Sequence, residues 1–214
     1  MIQIIPAILA TSEDQYQKDL QKLSSCEPLK GGWVHIDLAD NKFVQNKTVG
    51  PEVVQKFPTN FLLEAHLMVE NPLSWIDQLI QAGFERVIFH LESNDDTDEC
   101  INKIKEHNLE VGIALKKETP IEKLAPFVDK IDVVLIMTIV PGFQGQPLIP
   151  QTLIKVREIK SKNWPVKVGV DGAVSDVDVK EVVASGIDFM IVGSFLLKGD
   201  TEENLEKLWE IING

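Results

Sequence analysis

The segment from Trp33 to Asp40 places two polar side chains on one face of an otherwise apolar strand. Side chains alternate across a β-strand, so His35 and Asp37 share a face, while the apolar residues between and beside them occupy the other. Burying either polar group without a partner costs roughly several kcal/mol. A metal ion or a bound substrate would supply that partner, although hydrogen bonds to each other or to the backbone would also satisfy both groups.

More polar residues occur at corresponding positions, where other apolar segments of the chain end. Each of these positions is the carboxyl end of a predicted strand, and the residues there are His35 and Asp37, His66, His90 and Glu92, and Asp171. Two histidines and two aspartates from three strands form a plausible N2O2 site for a divalent transition metal. The candidate ligands are His35, Asp37, His66 and Asp171. His107 lies at a helix end and is interpreted as a surface residue.

These positions depend on an alternation of strand and helix patterns along the chain. Apolar runs predict eight buried strands, at 2–9, 33–39, 61–69, 86–92, 110–115, 130–138, 165–171 and 189–192. Helix signals separate them; Ser12 with Gln15, and Thr119 with Glu122, fit capping boxes. Strands this apolar indicate a parallel sheet covered on both faces. We therefore predict an α/β fold, a single (β/α)8 TIM barrel that spans residues 1–214 as one domain.

Glycines follow the last three predicted strands, and they indicate a second kind of site. Gly142 and Gly145 come after the sixth strand, Gly172 after the seventh, and Gly193 with Ser194 after the eighth. Exposed backbone amides near helix starts bind anions, and (β/α)8 barrels often hold a phosphate in the loops after strands seven and eight. Isolated glycines also serve as ordinary turns, but this placement favours phosphate binding.

Composition limits the possible partners. The 214 residues carry a formal net charge of −12, which argues against binding to nucleic acid or a membrane surface, yet permits a small anionic substrate. Cys26 and Cys100 are isolated and suggest a reducing compartment. The chain has no leader pattern before Ile2 and no apolar run near the roughly 20 residues of a membrane span, so we predict a soluble cytoplasmic protein.

With these residues in place, the chain resembles the ribulose-phosphate 3-epimerase family over nearly its whole length. The stretches that carry the resemblance are Pro6-Ala7-Ile8-Leu9, His35-Ile36-Asp37, Asp40 with Phe43-Val44 and Asn46, Gly50-Pro51, His66-Leu67-Met68, His90-Leu91-Glu92, Met137-Thr138, Pro141-Gly142-Phe143, Gly145-Gln146, Val170-Asp171-Gly172 and Gly193-Ser194. The resemblance implies a barrel of the ribulose-phosphate-binding type and a metal-dependent isomerase of the pentose phosphate pathway. Its reaction would interconvert D-ribulose 5-phosphate and D-xylulose 5-phosphate by inverting C3.

The resemblance also implies roles for individual residues. His35, Asp37, His66 and Asp171 match the family's ligands for one divalent transition metal per chain, which could be zinc, iron, manganese or cobalt. Asp37 and Asp171 match its acid/base pair, acting on opposite faces of an enediolate that the metal stabilises as a Lewis acid. A sugar phosphate and further copies of the chain, in a homo-oligomer, are the expected partners. The expected substrate-binding positions are Ala7, His66, Met68, Met137, Gly142, Phe143, Gln144, Gly145, Gly172, Ala173, Gly193 and Ser194.

Several positions depart from the family's pattern around the four candidate ligands. The family usually has serine at Ala7 and methionine at Ala39, glycines at Asn41, Gln144 and Ala173, proline at Gln45, aspartate at Glu64, and a glutamate at Gly169. The small Ala7 and Ala39 would enlarge the pocket, so an epimerase for a related six-carbon ketose 6-phosphate is one alternative. A sugar-phosphate-binding barrel without catalysis is another, although simple binding does not need two opposed carboxylates. Met68 and Met137 would cover the intermediate, or serve only in core packing.

Overall fold

A computed structural model describes residues 2–214, which form a closed barrel of eight parallel strands in sequence order. The strands are β1 (Gln3–Ile8), β2 (Trp33–Ala39), β3 (Leu62–Met68), β4 (Phe84–His90), β5 (Glu110–Leu115), β6 (Val133–Met137), β7 (Lys167–Asp171) and β8 (Phe189–Val192). The helices are α1 (Glu13–Ser24), α2 (Pro51–Val54), α3 (Leu73–Gln81), α4 (Thr97–Glu106), α5 (Thr152–Ser161), α6 (Val179–Ala184), α7 (Ser194–Leu197) and α8 (Thr201–Asn213). The predicted α/β class and (β/α)8 architecture are confirmed.

The strand residues divide between two apolar layers because their side chains alternate. On β2, Val34, Ile36 and Leu38 are fully buried in the layer between barrel and helices. His35 and Asp37 face the barrel interior, as the alternation predicts. A smaller apolar cluster that includes Ile5, Ala7, Leu135, Met137 and Phe189 fills the interior. The barrel is therefore a packed core, and its polar groups are confined to particular levels along the axis.

Three of the helices, α1, α4 and α8, begin at a residue whose side chain accepts hydrogen bonds from the first backbone N–H groups. The side chain of Ser12 accepts a hydrogen bond of 3.3 Å from the backbone N–H of Gln15, which confirms that predicted helix start. Asp200 caps α8 in the same way. None of the helices within residues 2–214 is long and apolar enough to cross a membrane.

The connection between β5 and β6 departs from the predicted strand–helix repeat. It holds only a 3-10 turn, Ile121–Leu124, without a side-chain cap. The predicted capping box is wrong, because the hydroxyl of Thr119 donates to Glu92 instead. Pro126 follows closely, and a proline inside a helix lacks the N–H and clashes with the preceding turn. The short helix α7, directly after β8, was also not predicted.

Candidate active site

Four polar side chains meet at the carboxyl ends of three strands. His35 and Asp37 lie on β2, His66 on β3 and Asp171 on β7, and one ligand atom from each lies within 4.8 Å of the others. The strand register pairs Asp37 directly with His66 and, on the other side, Met137 with Asp171. Both histidines are fully buried, and Asp37 is nearly so. Two imidazoles and two carboxylates in this space could hold a divalent ion.

His35 is fixed from behind and leaves one nitrogen facing the cluster. Its Nδ1 lies 2.6 Å from Oε1 of Glu64, and Arg86 donates through Nη1 to the other oxygen of Glu64, also at 2.6 Å. Its Nε2 is buried and makes no hydrogen bond to any residue of the described chain; Oδ1 of Asp37 lies 3.5 Å away. A carboxylate behind a histidine is the usual support for a metal ligand, so the orphaned Nε2 fits a bound ion.

His66 faces the cluster through Nδ1, whereas His35 faces it through Nε2. Its Nδ1 lies 2.9 Å from Oδ1 of Asp37 and 3.4 Å from Oδ2 of Asp171. Its Nε2 points away, 3.0 Å from Nε2 of His90, and Nδ1 of His90 lies 3.2 Å from Oε2 of Glu92. Both candidate histidine ligands therefore have a buried polar neighbour on the side away from the cluster.

The surroundings separate the pKa values of the two aspartates. Burial raises the pKa of Asp171 to about 6, and the nearby charge of Asp37 adds to this effect. Burial also opposes ionisation of Asp37, but contacts with His35 and His66 outweigh it and lower the pKa of that carboxyl. One group is thus a carboxylate while the other holds its proton more readily, which is the difference an acid/base pair needs.

The histidine behind His66 and its carboxylate partner are shifted as well. Burial lowers the pKa of His90 to about 4, which keeps this imidazole neutral. Burial opposes ionisation of Glu92, but hydrogen bonds from His90 and Thr119 outweigh it and lower its pKa to about 2. Glu92 is therefore an anionic acceptor beside a neutral histidine.

A cavity of about 550 Å³ opens above the cluster at the barrel mouth, with Asp37 and Asp171 in its lining. His35 and His66 lie beneath it and do not line it. The other predicted substrate-binding residues surround this one cavity: Ala7, Met68, Met137, Gly142, Phe143, Gln144, Gly145, Gly172, Ala173, Gly193 and Ser194.

Two glycines of these loops lie in close contact with neighbouring side chains. A Cβ on Gly193 would lie 2.5 Å from Nε2 of Gln144, so the carboxamide of Gln144 rests directly on the Gly193 backbone. Gly172 has φ +111°, and a Cβ there would meet Ile139 at 2.4 Å. Ala173 also adopts a positive φ of 53°, which is unusual for a residue with a Cβ. The loops bring backbone and a free carboxamide to one end of the cavity.

Several residues near the site received no functional role from the sequence. Glu64 and Arg86 support His35 from behind. The two-residue spacing between Glu64 and His66 in the sequence was the available signal that these two side chains share a strand face. Ser175 and Lys198 line the cavity beside the glycine loops. The side-chain amide of Asn46 donates a hydrogen bond of 2.7 Å to the carbonyl oxygen of Gly142, which connects that loop to the barrel mouth.

The chain is similar to known proteins over most of its length. The model of the ribulose-phosphate 3-epimerase family matches residues 3–197. Ribulose-phosphate 3-epimerase of Schizosaccharomyces pombe is 35% identical over 218 residues, covering 99% of this chain and 91% of that protein. The Escherichia coli K12 protein of the same name is 32% identical over 198 residues, covering 89% and 87% respectively.

Solved structures with little sequence similarity share the fold. 3-Hexulose-6-phosphate synthase from Salmonella typhimurium aligns with a TM-score of 0.72 at 16% identity, covering 99% of both chains. 3-Keto-L-gulonate-6-phosphate decarboxylase from Vibrio cholerae also aligns with a TM-score of 0.72 at 16% identity, covering 100% of this chain and 97% of that one.

The fold and the four-residue cluster define a (β/α)8 barrel enzyme with a candidate metal centre at its mouth. The family match over most of the chain, together with relatives above 30% identity, makes the assignment specific. The chain belongs to the ribulose-phosphate 3-epimerase family.

Proposed function

We propose that this protein interconverts D-ribulose 5-phosphate and D-xylulose 5-phosphate by inverting the configuration at C3. The observation that carries the proposal is the meeting of two carboxylates from distant strands. Asp37 on β2 and Asp171 on β7 lie three steps apart around the closed ring, yet both line the cavity. Inversion beside a ketone requires removal of a proton from one face and its return to the other, which two such groups can perform.

The chain's own residues provide the proton chemistry. The carboxylate with the lower pKa, Asp37, is ionised and can accept a proton, while the raised pKa of Asp171 favours its role as donor. The two roles exchange when the reaction runs in reverse. Met68 and Met137 line the same cavity and exclude water from the planar enediolate.

His35, Asp37, His66 and Asp171 would hold one divalent ion per chain. When bound, the ion supplies Lewis-acid stabilisation of the negative charge that develops on the substrate oxygens. The orphaned Nε2 of His35 and the inward Nδ1 of His66 support this ligand set. Zinc, iron, manganese and cobalt all accept a mixed nitrogen and oxygen set, so these four are the candidate metals.

The loops after β6, β7 and β8 would bind the substrate's phosphate. Gly172 and Gly193 bring backbone close to the cavity, and Gln144 rests on Gly193 with its carboxamide free to donate. Lys198 at the same end could balance part of the phosphate charge. Small anionic substrates need only this local field, which the overall negative charge of the protein does not prevent.

Activity measurements with metal removed and restored test the proposal. We expect about one equivalent of metal per chain, and loss of epimerisation after chelation that returns when metal is added back. Asp37→Asn and Asp171→Asn should each lower turnover by at least about 10²-fold, through loss of acid/base function and altered metal charge. The matched control is Asp129→Asn, an exposed carboxylate that should keep wild-type turnover. Full activity in a metal-free preparation, or in either active-site variant, would contradict the assignment.

A six-carbon ketose 6-phosphate is the second candidate substrate. It is favoured by the small side chains of Ala7, which lines the cavity, and Ala39, which packs beside Met68. Assaying both ketose phosphates under the same metal loading separates the two. Binding of either sugar without turnover would instead indicate a sugar-phosphate-binding barrel.

Two further expectations concern the oligomeric state and the cellular location. A homo-oligomer and a cytoplasmic location both stay predictions. Light scattering of the purified chain and localisation of the tagged protein would test them.

A further inference from the structure

We propose that His90 and Glu92 are positioning residues that set the tautomer of His66, so that its Nδ1 is bare and directed at the metal site. The inference rests on the proposed function, because it requires His66 to be a metal ligand. His90 ends β4 and Glu92 lies in the loop after it. Strand β4 contributes no candidate metal ligand of its own. The argument follows the hydrogen bonds outward from the cluster.

The contact between His66 and His90 can hold only one proton. Their Nε2 atoms lie 3.0 Å apart, a hydrogen-bond distance between two ring nitrogens. Two N–H groups would clash there, and two lone pairs would repel, so one ring donates and the other accepts. The proton position on His90 therefore determines the proton position on His66.

The partner of His90 decides which ring donates. Oε1 of Glu92 already accepts from the backbone N–H of Lys116 at 3.0 Å and from the hydroxyl of Thr119. An ionised carboxylate only accepts, so its Oε2, 3.2 Å from Nδ1 of His90, requires a proton on that nitrogen. With that proton on Nδ1, His90 can leave its Nε2 bare to accept from Nε2–H of His66. An ion in the site would take the place of the proton that the 2.9 Å contact between Nδ1 of His66 and Oδ1 of Asp37 otherwise requires, and His66 would face the ion with a bare Nδ1.

The surroundings keep water away from the contact between His66 and His90, both of which are fully buried. His90 is fully buried, and the ring of Phe43 packs against it with centroids 4.8 Å apart. Nζ of Lys116 in turn lies over the ring of Phe43, 3.6 Å from the ring centroid. The two candidate histidine ligands thus reach the cluster by opposite nitrogens. Glu64 orients His35 directly, whereas a carboxylate orients His66 through an intervening imidazole.

The variant Glu92→Gln is expected to reverse the proton pattern. The glutamine oxygen is expected to stay with the N–H of Lys116, which places its NH2 group opposite Nδ1 of His90. That group donates, so His90 would carry its proton on Nε2 and oppose the tautomer of His66 that metal binding needs. His90→Phe removes the acceptor altogether. Each variant should weaken zinc binding by about 10–100-fold, the usual effect of losing a partner behind a metal ligand.

The experiment measures zinc affinity by chelator competition and the protonated nitrogen of each histidine by nitrogen-15 NMR. Wild-type protein loaded with zinc should carry the His90 proton on Nδ1 and the His66 proton on Nε2. Glu92→Gln should show the His90 proton on Nε2. Glu99→Gln and His107→Phe, at exposed positions, are the matched controls and should bind zinc as tightly as the wild type. Melting curves without metal identify any variant that fails to fold.

The outcomes separate this inference from the function it rests on. Weaker zinc binding together with the altered His90 tautomer, in folded protein, supports the positioning role. Unchanged affinity in either folded variant overturns it, as does weaker affinity in Glu92→Gln with the His90 proton still on Nδ1. If wild-type protein binds no zinc in the same titration, the metal site fails and the inference fails with it. If wild type and variants bind equally, the metal site stands and only the relay is refuted.

Discussion

Among residues 2–214, two buried side-chain polar atoms lack a hydrogen-bond partner: Nε2 of His35 and the hydroxyl of Tyr16. The two atoms differ in what surrounds them. The His35 nitrogen lies in a cluster of metal-ligand groups, where a bound ion would satisfy it. The Tyr16 side chain lies in the apolar layer between barrel and helices, and its ring packs beside that of Phe57. An unpaired buried polar atom costs about 1–3 kcal/mol. A bound ion would remove this cost for His35, whereas no cluster of metal-ligand groups among the described residues surrounds Tyr16 to offset it.

We expect Tyr16→Phe to raise the free energy of unfolding at pH 7 by about 1 kcal/mol, because it removes the unsatisfied hydroxyl and keeps the ring. The effect should grow at alkaline pH. Burial raises the pKa of Tyr16 well above its ordinary value of about 10. The folded protein therefore keeps a proton that the unfolded chain loses, and the wild type loses stability as pH rises above about 10.

Denaturant titrations of wild type and variant between pH 7 and about pH 11 measure this difference. Tyr16 is the chain's single tyrosine, so the variant removes every tyrosine contribution to the alkaline slope. The two proteins are otherwise identical, so other contributions to the alkaline slope cancel in the comparison. A less stable variant at pH 7 would mean that the hydroxyl has a partner, and parallel slopes above pH 10 would exclude the raised pKa.

At the scale of secondary-structure elements, the β-strands carry the candidate metal ligands, and the loops after them line the cavity. The alternation of β2 predicted from the sequence places His35 and Asp37 inward, and the strand bounds 33–39, 110–115 and 189–192 match the structure. These strands were predictable because burial on both faces leaves continuous apolar runs. The 3-10 turn after β5 and the support formed by Arg86 and Glu64 depend on neighbours distant in sequence, which periodicity does not report.

Thr119 illustrates how a tertiary contact overrides a local signal. Its spacing to Glu122 fits a capping box, yet its hydroxyl bonds Glu92 from a different strand end. Likewise, the sequence placed His90 and Glu92 at the end of β4 without a role, because their geometry relative to His66 exists only in the folded barrel. Local patterns therefore identified residues at or just after strand ends, although β4 ends at His90 and not at Glu92 as predicted. The hydrogen-bond partners required the three-dimensional structure.

The loop after β8 gives a prediction for phosphate binding. Gly193→Asp should raise KM for the sugar phosphate steeply, because it places a carboxylate at the proposed anion site. Since a Cβ at Gly193 would also meet Nε2 of Gln144 at 2.5 Å, crowding must be separated from charge. Gly193→Ala alone tests crowding against Gln144. Gly193→Asp combined with Gln144→Ala, compared with Gln144→Ala alone, tests charge without that crowding.

In steady-state kinetics, KM should rise steeply whenever position 193 is aspartate, with either glutamine or alanine at position 144. His107→Asp, which adds the same charge at an exposed helix end, is the control and should keep wild-type KM. An unchanged KM in the Gly193→Asp variant would remove the β8 loop from the phosphate site. An increase seen equally with Gly193→Ala in the Gln144→Ala background would attribute the effect to backbone distortion.

At the scale of the whole molecule, the candidate ligands join parts of the barrel that are distant in sequence. The cluster draws on β2, β3 and β7, and barrel closure through the pairing of β1 with β8 brings the first and last thirds of the chain together. An ion that binds only the folded barrel adds its binding free energy to that of folding. Global stability therefore reports on the site independently of catalysis.

Thermal unfolding with and without metal should reveal this coupling. At free metal near 100 times Kd the folded state gains about 2.7 kcal/mol. For a chain of 214 residues this corresponds to a rise in Tm of about 5–10 °C above the chelated protein. His66→Ala removes a ligand from β3 and should abolish the rise, whereas His107→Ala, exposed on the outer surface, should preserve it. A rise of equal size in both variants would mean that the metal stabilises the barrel from another site, and His35, Asp37, His66 and Asp171 would then be a buried polar network whose hydrogen bonds hold the barrel mouth without an ion.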